Sequence, residues 1–452
     1  MPQQRLVPWL RRLLGTRPGE GAALVWAFLY FFCLLAGYYV LRPLRDEMGI
    51  QGGVANLPWL FTATFVVMLA VIPAYGWASA RWPRRRLVPG VYAFFLTHLV
   101  LFYALFGADV APGWLARVFF VWVSVFNLLV VSVFWTFMAD LFSNEQGRRL
   151  FGVIAAGGSA GAIAGPALTA GLVRVIGTDE LVLVSGALLA ATLGCIAGLV
   201  RQAPRLRTAG SRAESPGQAA PPEAGEPAAE SGLGGGAWAG VRLLTRSPYL
   251  IGIGGYILLY TATSTFLYFE QAHIVEAAYA DPAERTALFA AMDLAVNVLT
   301  VATQVLLTGR VVAALGVGLT LALLPALVGV GFAALAAAPV LGVLVVFQVL
   351  RRAAGYALAR PAREVLFTVV GREARYKAKN VIDTLVYRGG DAVTGWAFAG
   401  LTGLGLGLAA IAAVAVPLAA VWLGVGLALG RQQERLRRAG VTVDPQSGRA
   451  AS

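Results

Sequence analysis

The chain has 452 residues, of which 58% are hydrophobic and 13% are charged, with a mean hydropathy of +0.72 and a formal net charge of +13. These values exclude a water-soluble globular protein, because a core of this size could not bury so many apolar side chains. The positive charge can be assigned to one side of a membrane. We therefore expect the lipid bilayer as a partner and expect no binding of nucleic acid.

Twelve apolar stretches of about 20 residues each predict membrane-spanning helices. In the first half they cover Ala22–Leu41, Leu57–Ala78, Leu87–Phe106, Leu115–Met138, Leu150–Val173 and Leu181–Val200. In the second half they cover Tyr249–Phe269, Thr286–Leu307, Val311–Ala333, Val340–Leu358, Ala378–Leu401 and Leu404–Leu429. The expected fold is an all-α polytopic membrane protein of about twelve transmembrane helices in two six-helix halves.

The segment 201–246 between these sets is rich in Pro, Gly, Ala, Ser and Glu, and it predicts a disordered linker. The expected domain organisation is a cytoplasmic segment over 1–21, a bundle over 22–200, this linker, a second bundle over 247–430 and a cytoplasmic tail over 431–452. Most Lys and Arg fall on one side, whereas Arg42 and Arg45 fall in the first opposite loop and the loop from Tyr268 to Arg285 is acidic. We therefore expect an inner-membrane protein with both termini in the cytoplasm.

A weak internal repeat relates the halves, since Leu141-Phe142-Ser143 precedes Gly157-Gly158 as Leu366-Phe367-Thr368 precedes Gly389-Gly390. Six helices plus six in a parallel repeat is the major facilitator arrangement. The segment Gly76 to Arg86 resembles the loop signature of that superfamily, although Ala80 replaces its acid and Pro83 its second glycine.

Glycines recur four residues apart in the fifth span, at Gly157, Gly161 and Gly165. They predict one helix face that allows another helix to pack closely. The same span also resembles the antiporter motif of facilitator exchangers in the spacing of Gly152, Gly161, Gly165 and Pro166, although Thr169 and Ala170 stand where that motif has two glycines. Gly157 to Gly161 matches the pattern of a nucleophile elbow as well, but that motif requires a strand, a turn and a helix, so we expect no enzyme activity there.

Three short segments resemble the ATP/ADP translocase family of nucleotide transporters, and they suggest a bacterial relative. Leu41 to Asp46 is similar to the family's Leu-Arg-Asp-x-Lys-Asp stretch, with Arg45 in place of the Lys. Phe134-Trp135-Thr136-Phe137 is similar to its Phe-Trp-Gly-Phe, and Lys379 to Asp391 aligns by its paired glycines. The resemblance implies exchange of an anionic solute such as a nucleotide or a phosphorylated metabolite.

Ionisable groups are costly at the bilayer midplane, so those within the spans usually face a cavity. Arg is suited to phosphate because its planar fork binds two oxygens, and tyrosine rings suit a base. Asp293 and Asn297, with Gln304, share one face of the eighth span, and only one of the adjacent Arg351 and Arg352 is expected to face the cavity. The predicted solute-binding residues are Tyr39, Arg42, Arg45, Tyr260, Asp293, Asn297, Arg351, Arg352, Arg388 and Asp391.

Two other functions stay open on the sequence alone. One is proton-coupled export of a lipid or drug-like molecule, in which the arginines would matter little. The other is a membrane scaffold or sensor that transports nothing. No metal cluster or nucleotide-binding loop is predicted, so we expect no cofactor, and we expect a monomer.

Overall fold

The computed structural model describes residues 16–17, 19–211, 237–443 and 450–451, and nearly all of them are helical. The first six helices are α1 (Gly21–Gln51), α2 (Leu57–Arg81), α3 (Arg84–Gly107), α4 (Pro112–Leu141), α5 (Asn144–Ile176) and α6 (Glu180–Ser211). They are followed by α7 (Ala237–Arg246), α8 (Pro248–Ala278), α9 (Pro282–Thr303), α10 (Gly309–Ala337), α11 (Leu341–Ala354), α12 (Arg360–Leu366), α13 (Arg372–Val381), α14 (Tyr387–Gly403) and α15 (Leu408–Arg438). Two short antiparallel strands, β1 (Thr442–Val443) and β2 (Ala450–Ala451), end the described part.

Ten helical stretches in the described residues are long and apolar enough to cross a membrane. One of them, Pro282–Ala337, has 56 residues and contains both the eighth and the ninth predicted spans. Its helical backbone breaks at Gly316, which has a φ of 70°. Residues that carry a Cβ atom rarely adopt this backbone angle, whereas glycine adopts it readily. The predicted eleventh span lies on α13 and α14, whose charged residues lower its hydropathy. The all-α polytopic architecture is therefore confirmed.

Several predicted loop positions are wrong because polar side chains lower hydropathy without ending a helix. The α1 helix continues to Gln51, so Arg42 and Arg45 lie on a helix and not in a loop. The α8 helix continues to Ala278, which makes most of the predicted acidic loop helical. The predicted break before Val311 is replaced by a π-helical turn, Gln304–Thr308, and the chain stays helical up to Gly316. Backbone hydrogen bonds inside a helix need no apolar side chains, which explains these extensions.

The predicted disordered linker is corrected at both of its ends. Helix α6 continues to Ser211, and α7 occupies Ala237–Arg246. Residues 212–236 lie outside the described residues. The domain boundaries stay a prediction.

The described residues form two compact units. The first unit comprises those within Met1–Met48, Val67–Leu233 and Thr286–Leu294. The second comprises those within Gly49–Val66, Gly234–Arg285 and Ala295–Ser452. Each unit therefore includes a short piece from the opposite half of the sequence.

The glycine face of α5 packs directly on α1 in the first unit, as the spacing predicts. A Cβ atom at Gly157 would lie 2.6 Å from the Phe28 carbonyl oxygen, and one at Gly161 would lie 2.3 Å from that of Phe32. At Gly165 the same atom would lie 2.5 Å from the Ala36 carbonyl oxygen. These distances are shorter than any real contact, so only glycine permits this approach of the two helices.

We expect Gly161→Ala to lower the thermal unfolding midpoint of the detergent-purified protein, because the new methyl group must push α1 and α5 apart. Overpacking of this kind typically costs about 1–3 kcal/mol. The matched control is Gly171→Ala on the same helix, where a Cβ atom would meet nothing within 4 Å. Equal midpoints for the two variants would show that the α1–α5 contact is not close.

Glu20 connects three helix ends at one end of the first unit. Its carboxylate accepts hydrogen bonds from Arg149 Nη2 (2.9 Å), Gln146 Nε2 (3.1 Å) and the Arg17 backbone nitrogen (2.8 Å). Gln146 also forms a capping box with Ser143 at the start of α5, and its amide donates to the Leu206 carbonyl oxygen on α6. Burial raises the pKa of Glu20, but the bonds from Arg149, Arg17 and Gln146 outweigh it and leave the pKa below its ordinary value.

This lowered pKa predicts a pH-dependent contribution to stability. A carboxyl group whose folded pKa is depressed stabilises the fold above its unfolded pKa, about 4.3, and that stability is lost as the pH falls through the folded value. We expect Glu20→Gln to lower the unfolding midpoint at pH 7, and the difference from the parent protein to shrink below about pH 4. Midpoints measured across this range check it, and a difference that does not depend on pH would contradict it.

Candidate functional site

Arg351 is a buried cation at the end of α11, in a membrane-spanning helix, and its hydrogen-bond partners among the described residues are neutral. Its Nε and Nη2 donate to Gln348 Oε1 at 3.1 and 3.0 Å, and its Nη1 donates to Ser264 Oγ at 3.0 Å. Gln348 Nε2 in turn donates to Gln271 Oε1 on α8 at 2.7 Å. Within the described part of the chain, Arg351 forms no ion pair, although only 6% of the residue is exposed. We call these four residues the Arg351 network.

Aromatic rings adjoin this network. Gly355 lies one helical turn after Arg351, and a Cβ atom there would be 4.0 Å from the Tyr260 hydroxyl oxygen. The Tyr260 ring centre lies 6.1 Å from that of Tyr387 and 5.8 Å from that of Trp422. Residues four apart share a helix face, so Arg351 and the tyrosine hydroxyl lie on the same side of α11.

A second polar group on α14 belongs to the same unit. Thr265 Oγ1 donates to Asp391 Oδ1 at 2.8 Å, and Arg388 Nη1 lies 3.7 Å from Asp391 Oδ2. The guanidinium carbon of Arg388 also lies 5.5 Å from the centre of the Tyr387 ring, within the range of a cation–π contact. Asp391 therefore contacts both Thr265 and Arg388.

The first unit contains another set of predicted residues. Asp293, which is 1% exposed, lies 3.5 Å from Arg42 by its Oδ2 and the arginine Nε. The Arg42 guanidinium carbon is 5.7 Å from the centre of the Tyr39 ring. Arg45 instead pairs with its neighbour Asp46 at 2.6 Å and lies over Phe120.

The predicted site residues thus fall into both compact units. Tyr39, Arg42, Arg45 and Asp293 belong to the first, whereas Tyr260, Asn297, Arg351, Arg352, Arg388 and Asp391 belong to the second. Asn297 is buried and Arg352 is half-buried. Gln304, predicted to share one helix face with Asp293 and Asn297, is exposed, and its Nε2 lies 3.4 Å from the Tyr356 carbonyl oxygen.

Sequence reasoning missed Gln271 and Gln348, which connect Arg351 to α8. The signal in the sequence was an amide in an otherwise apolar run, since Gln348 stands between Phe347 and Val349. A buried amide needs hydrogen-bond partners, so its presence in a span is costly and informative. Gln271 could not be found in this way because it was placed in a loop.

Three π-helical turns occur among the described residues of the second unit, and they border the same polar groups. They are Gln304–Thr308, Gly355–Ala359 and Ile382–Val386. Thr308 Oγ1 donates to the Ala357 carbonyl oxygen at 2.8 Å, so one π turn supplies a hydrogen bond to another. Such turns are rare in proteins, and those that occur are often at functional sites. Their positions therefore agree with a site near Arg351 and Tyr387.

Comparison with known proteins identifies the fold. No family model matches the chain, and no curated protein matches its sequence. Among solved structures it resembles the nucleoside transporter NupG, with a TM-score of 0.63 at 13% identity over 91% of this chain and 99% of that one. A bacterial homologue of the iron transporter ferroportin gives 0.58 at 13% identity, over 91% and 98% of the two chains. An autoinhibited peptide transporter of the POT family gives 0.57 at 13%, over 91% and 96%.

At this identity the likeness establishes the fold. The chain is an all-α polytopic membrane protein with the major facilitator fold, as the six-plus-six repeat predicted. The resemblance to ATP/ADP translocases stays a prediction.

The Arg42–Asp293 contact predicts energetic coupling between α1 and α9. We expect Arg42→Gln and Asp293→Asn each to lower the unfolding midpoint, and the double variant to lose less than the sum. Contacting charged residues typically couple by about 0.5–3 kcal/mol. The control combines Arg42→Gln with Asp140→Asn, because the Asp140 carboxylate pairs with Arg84 and not with Arg42. The effects of these two changes on the unfolding midpoint should be additive. Additivity of the Arg42 and Asp293 changes would contradict the contact.

Proposed function

We propose that the protein is a secondary transporter that moves a small anionic solute across the membrane by alternating access, with Arg351 as a binding cation. The observation that carries the proposal is the burial of Arg351 among neutral partners. The solutes that fit best are nucleotides and phosphorylated metabolites.

The energetic argument starts from the cost of a charged arginine in a membrane. At the centre of a spanning helix that cost is about 2.5–3.5 kcal/mol on insertion scales, and a paired carboxylate would reduce it. The Arg351 network supplies hydrogen bonds to three guanidinium nitrogens but no negative charge from the described residues. An anionic solute would supply that charge when it binds, so the binding energy would come from a cation already held in place.

The geometry of the network favours an oxyanion with several oxygens. Gln348 and Ser264 hold the guanidinium plane from two sides, which fixes its direction at little further entropic cost on binding. Arginine is well suited to a phosphate or carboxylate because its fork donates two parallel hydrogen bonds. A second cation, Arg388, lies 3.7 Å from Asp391 on α14 and 5.5 Å from the centre of the Tyr387 ring.

Tyr260 and Tyr387 favour a solute that also carries a flat ring. Their ring centres lie 6.1 Å apart with 37° between the planes, and a base could stack on either face. This agrees with the nucleotide transport that the resemblance to ATP/ADP translocases implies. It also agrees with the solute named for NupG, since a nucleoside is a nucleotide without its phosphates.

Thermal stabilisation of the purified protein tests the proposal. The panel contains ATP, ADP, uridine, glucose 6-phosphate and citrate, so that ring and anion are varied separately. A solute at 100 times its dissociation constant adds about 2.7 kcal/mol to the stability. We expect a shift with the nucleotides or the sugar phosphate, loss of the shift in Arg351→Ala, and partial retention in Arg351→Lys, which keeps the charge.

Arg360→Ala is the matched control, because Arg360 is exposed on the following helix and should leave the shift unchanged. Arg352→Ala shows whether the adjacent arginine contributes. Counterflow in proteoliposomes then establishes transport of any solute that binds. A panel in which only uridine binds, with full retention in Arg351→Ala, would exclude the anionic solute, and an exporter of neutral molecules would then fit better.

A further inference from the structure

Glu270 is a buried carboxyl group on α8 that the proposed solute site does not use. The sequence placed it in an acidic loop, but the helix runs eight residues beyond it to Ala278. The residue is only 1% exposed, and α8 belongs to a membrane-spanning stretch, Pro248–Ala278. Its neighbour Gln271 belongs to the Arg351 network, so Glu270 lies next to the proposed site along the chain.

Among the described residues, the Glu270 carboxyl group lacks the charged or hydrogen-bonding partners that Asp293 and Asp391 have. Within the described residues, its Oε1 has no hydrogen-bond partner and Glu270 forms no ion pair. Asp293, by contrast, pairs with Arg42, and Asp391 accepts a hydrogen bond from Thr265 and lies beside Arg388. Those two carboxylates have compensation for a negative charge, whereas the described part of the chain offers Glu270 none.

The direction of the side chain can be deduced from helix geometry. Residues fourteen positions apart on an α-helix differ by about 40° around its axis, so Glu270 shares a side with Tyr256. The Tyr256 ring contacts Trp422 on α15, with ring centres 5.4 Å apart. Glu270 therefore lies on the α15 side of α8, and from Leu408 to Gly430 α15 carries no ionisable residue.

The other elements packed against α8 bring charged groups only to its other sides. Gln271 faces Gln348 and Arg351 on α11, and Thr265 faces Asp391 on α14. The start of α2 contributes Phe61, which packs on Phe269, and Leu57–Val66 has no ionisable residue. The titratable groups on these elements are Tyr249, Tyr256, Tyr260, Tyr268, His273 and Glu276 on α8, Arg242 and Arg246 on α7, Arg351 and Arg352 on α11, Asp383 in the π turn Ile382–Val386, Tyr387, Arg388 and Asp391 on α14, and Arg431, Glu434, Arg435, Arg437 and Arg438 at the C-terminal end of α15.

A carboxylate in such surroundings is unstable, because it would lose its hydration without gaining a cation or donors. The neutral acid avoids that cost, so Glu270 holds a proton in this conformation. A conformation that admits water to the end of α8 that carries Glu270 would restore the hydration of the carboxylate and release the proton. The same group would thus change its protonation with the conformation of the protein.

We propose that Glu270 is the proton-binding residue that couples solute movement to the proton gradient. The carboxylate takes one proton from water on one side of the membrane, becomes the neutral acid when α8 is packed as described, and returns the proton to water on the other side. This inference rests on the proposed transport function, and it assigns the coupling ion. Asp293 and Asp391 instead lie beside Arg42 and Arg388, respectively.

Infrared spectroscopy of the protein in lipid tests the protonation without any solute. We expect the C=O stretch of a protonated carboxylic acid near neutral pH in the parent protein, and its loss in Glu270→Gln. The control is Glu276→Gln, which removes an exposed carboxyl group six residues later on the same helix and should leave the band in place. A band that survives in Glu270→Gln, or that is absent from the parent protein, would overturn the assignment.

Transport in proteoliposomes tests the coupling, with ADP and glucose 6-phosphate as probes. For one proton per solute, a gradient of one pH unit can sustain an accumulation of about tenfold, because one unit corresponds to about 1.4 kcal/mol. We expect Glu270→Gln to lose this accumulation and to keep counterflow, which needs no net proton movement. Loss of counterflow as well, or gradient-driven accumulation equal to that of the parent protein, would refute the coupling role.

The two proposals fail separately. A protein that shows the Glu270 band but moves neither probe contradicts the transport of anionic solutes and leaves the protonation of Glu270 intact. A protein that moves a probe without the Glu270 band contradicts the assignment of Glu270 alone.

Discussion

The absence of water from the bilayer core is the constraint on which this structure depends. Every backbone N–H and C=O group in the core must find a partner within the protein, and the α-helix satisfies them all internally. Polar side chains face the same requirement, and each must be bonded, be neutral or face a cavity. The long helices satisfy the backbone, and a few hydrogen-bonded groups of side chains satisfy the rest.

Within the first unit, this constraint leaves helix packing to van der Waals contact rather than to the hydrophobic effect. The glycine face of α5 serves that purpose, because it brings its backbone against the carbonyl oxygens of α1. Ser185 on α6 donates a hydrogen bond to the Gly37 carbonyl oxygen of α1 at 3.0 Å. The α1 helix is therefore held on two sides, and the same helix carries Tyr39, Arg42 and Arg45.

Within the second unit, the constraint separates polar groups by their compensation. Asp391 is compensated by Thr265 and Arg388, whereas among the described residues Arg351 is bonded without an opposite charge and Glu270 has no compensating cation. Their partners therefore distinguish the structural pairs from the proposed solute-binding cation, Arg351, and from the proposed proton-binding acid, Glu270. Residue type and position alone do not distinguish Asp391, Arg351 and Glu270, because all three are ionisable residues within spanning helices.

The amino-acid sequence by itself determined the fold class, an all-α polytopic membrane protein. Hydropathy is a sum over side chains, and a run of about 20 apolar residues is sufficient to predict a helix in lipid. The glycine spacing of α5 also predicted its packing, because residues four apart share a face whatever lies opposite. Sequence further identified Arg351, Arg388 and Asp391 as candidates, since an ionisable group in an apolar run is conspicuous.

Only the tertiary structure decided which candidates lie together and what each one contacts. Hydropathy ended α1 near Leu41 and α8 near Phe269, and it thereby placed Arg42, Arg45, Glu270 and Gln271 outside the helices that carry them. A helix end depends on backbone hydrogen bonds and on the packing of one face, neither of which is a property of composition. The pairing of Arg42 with Asp293, far apart in the chain, and the lack of an ion-pair partner for Glu270 among the described residues are likewise properties of the folded chain, because a contact exists only once helices pack.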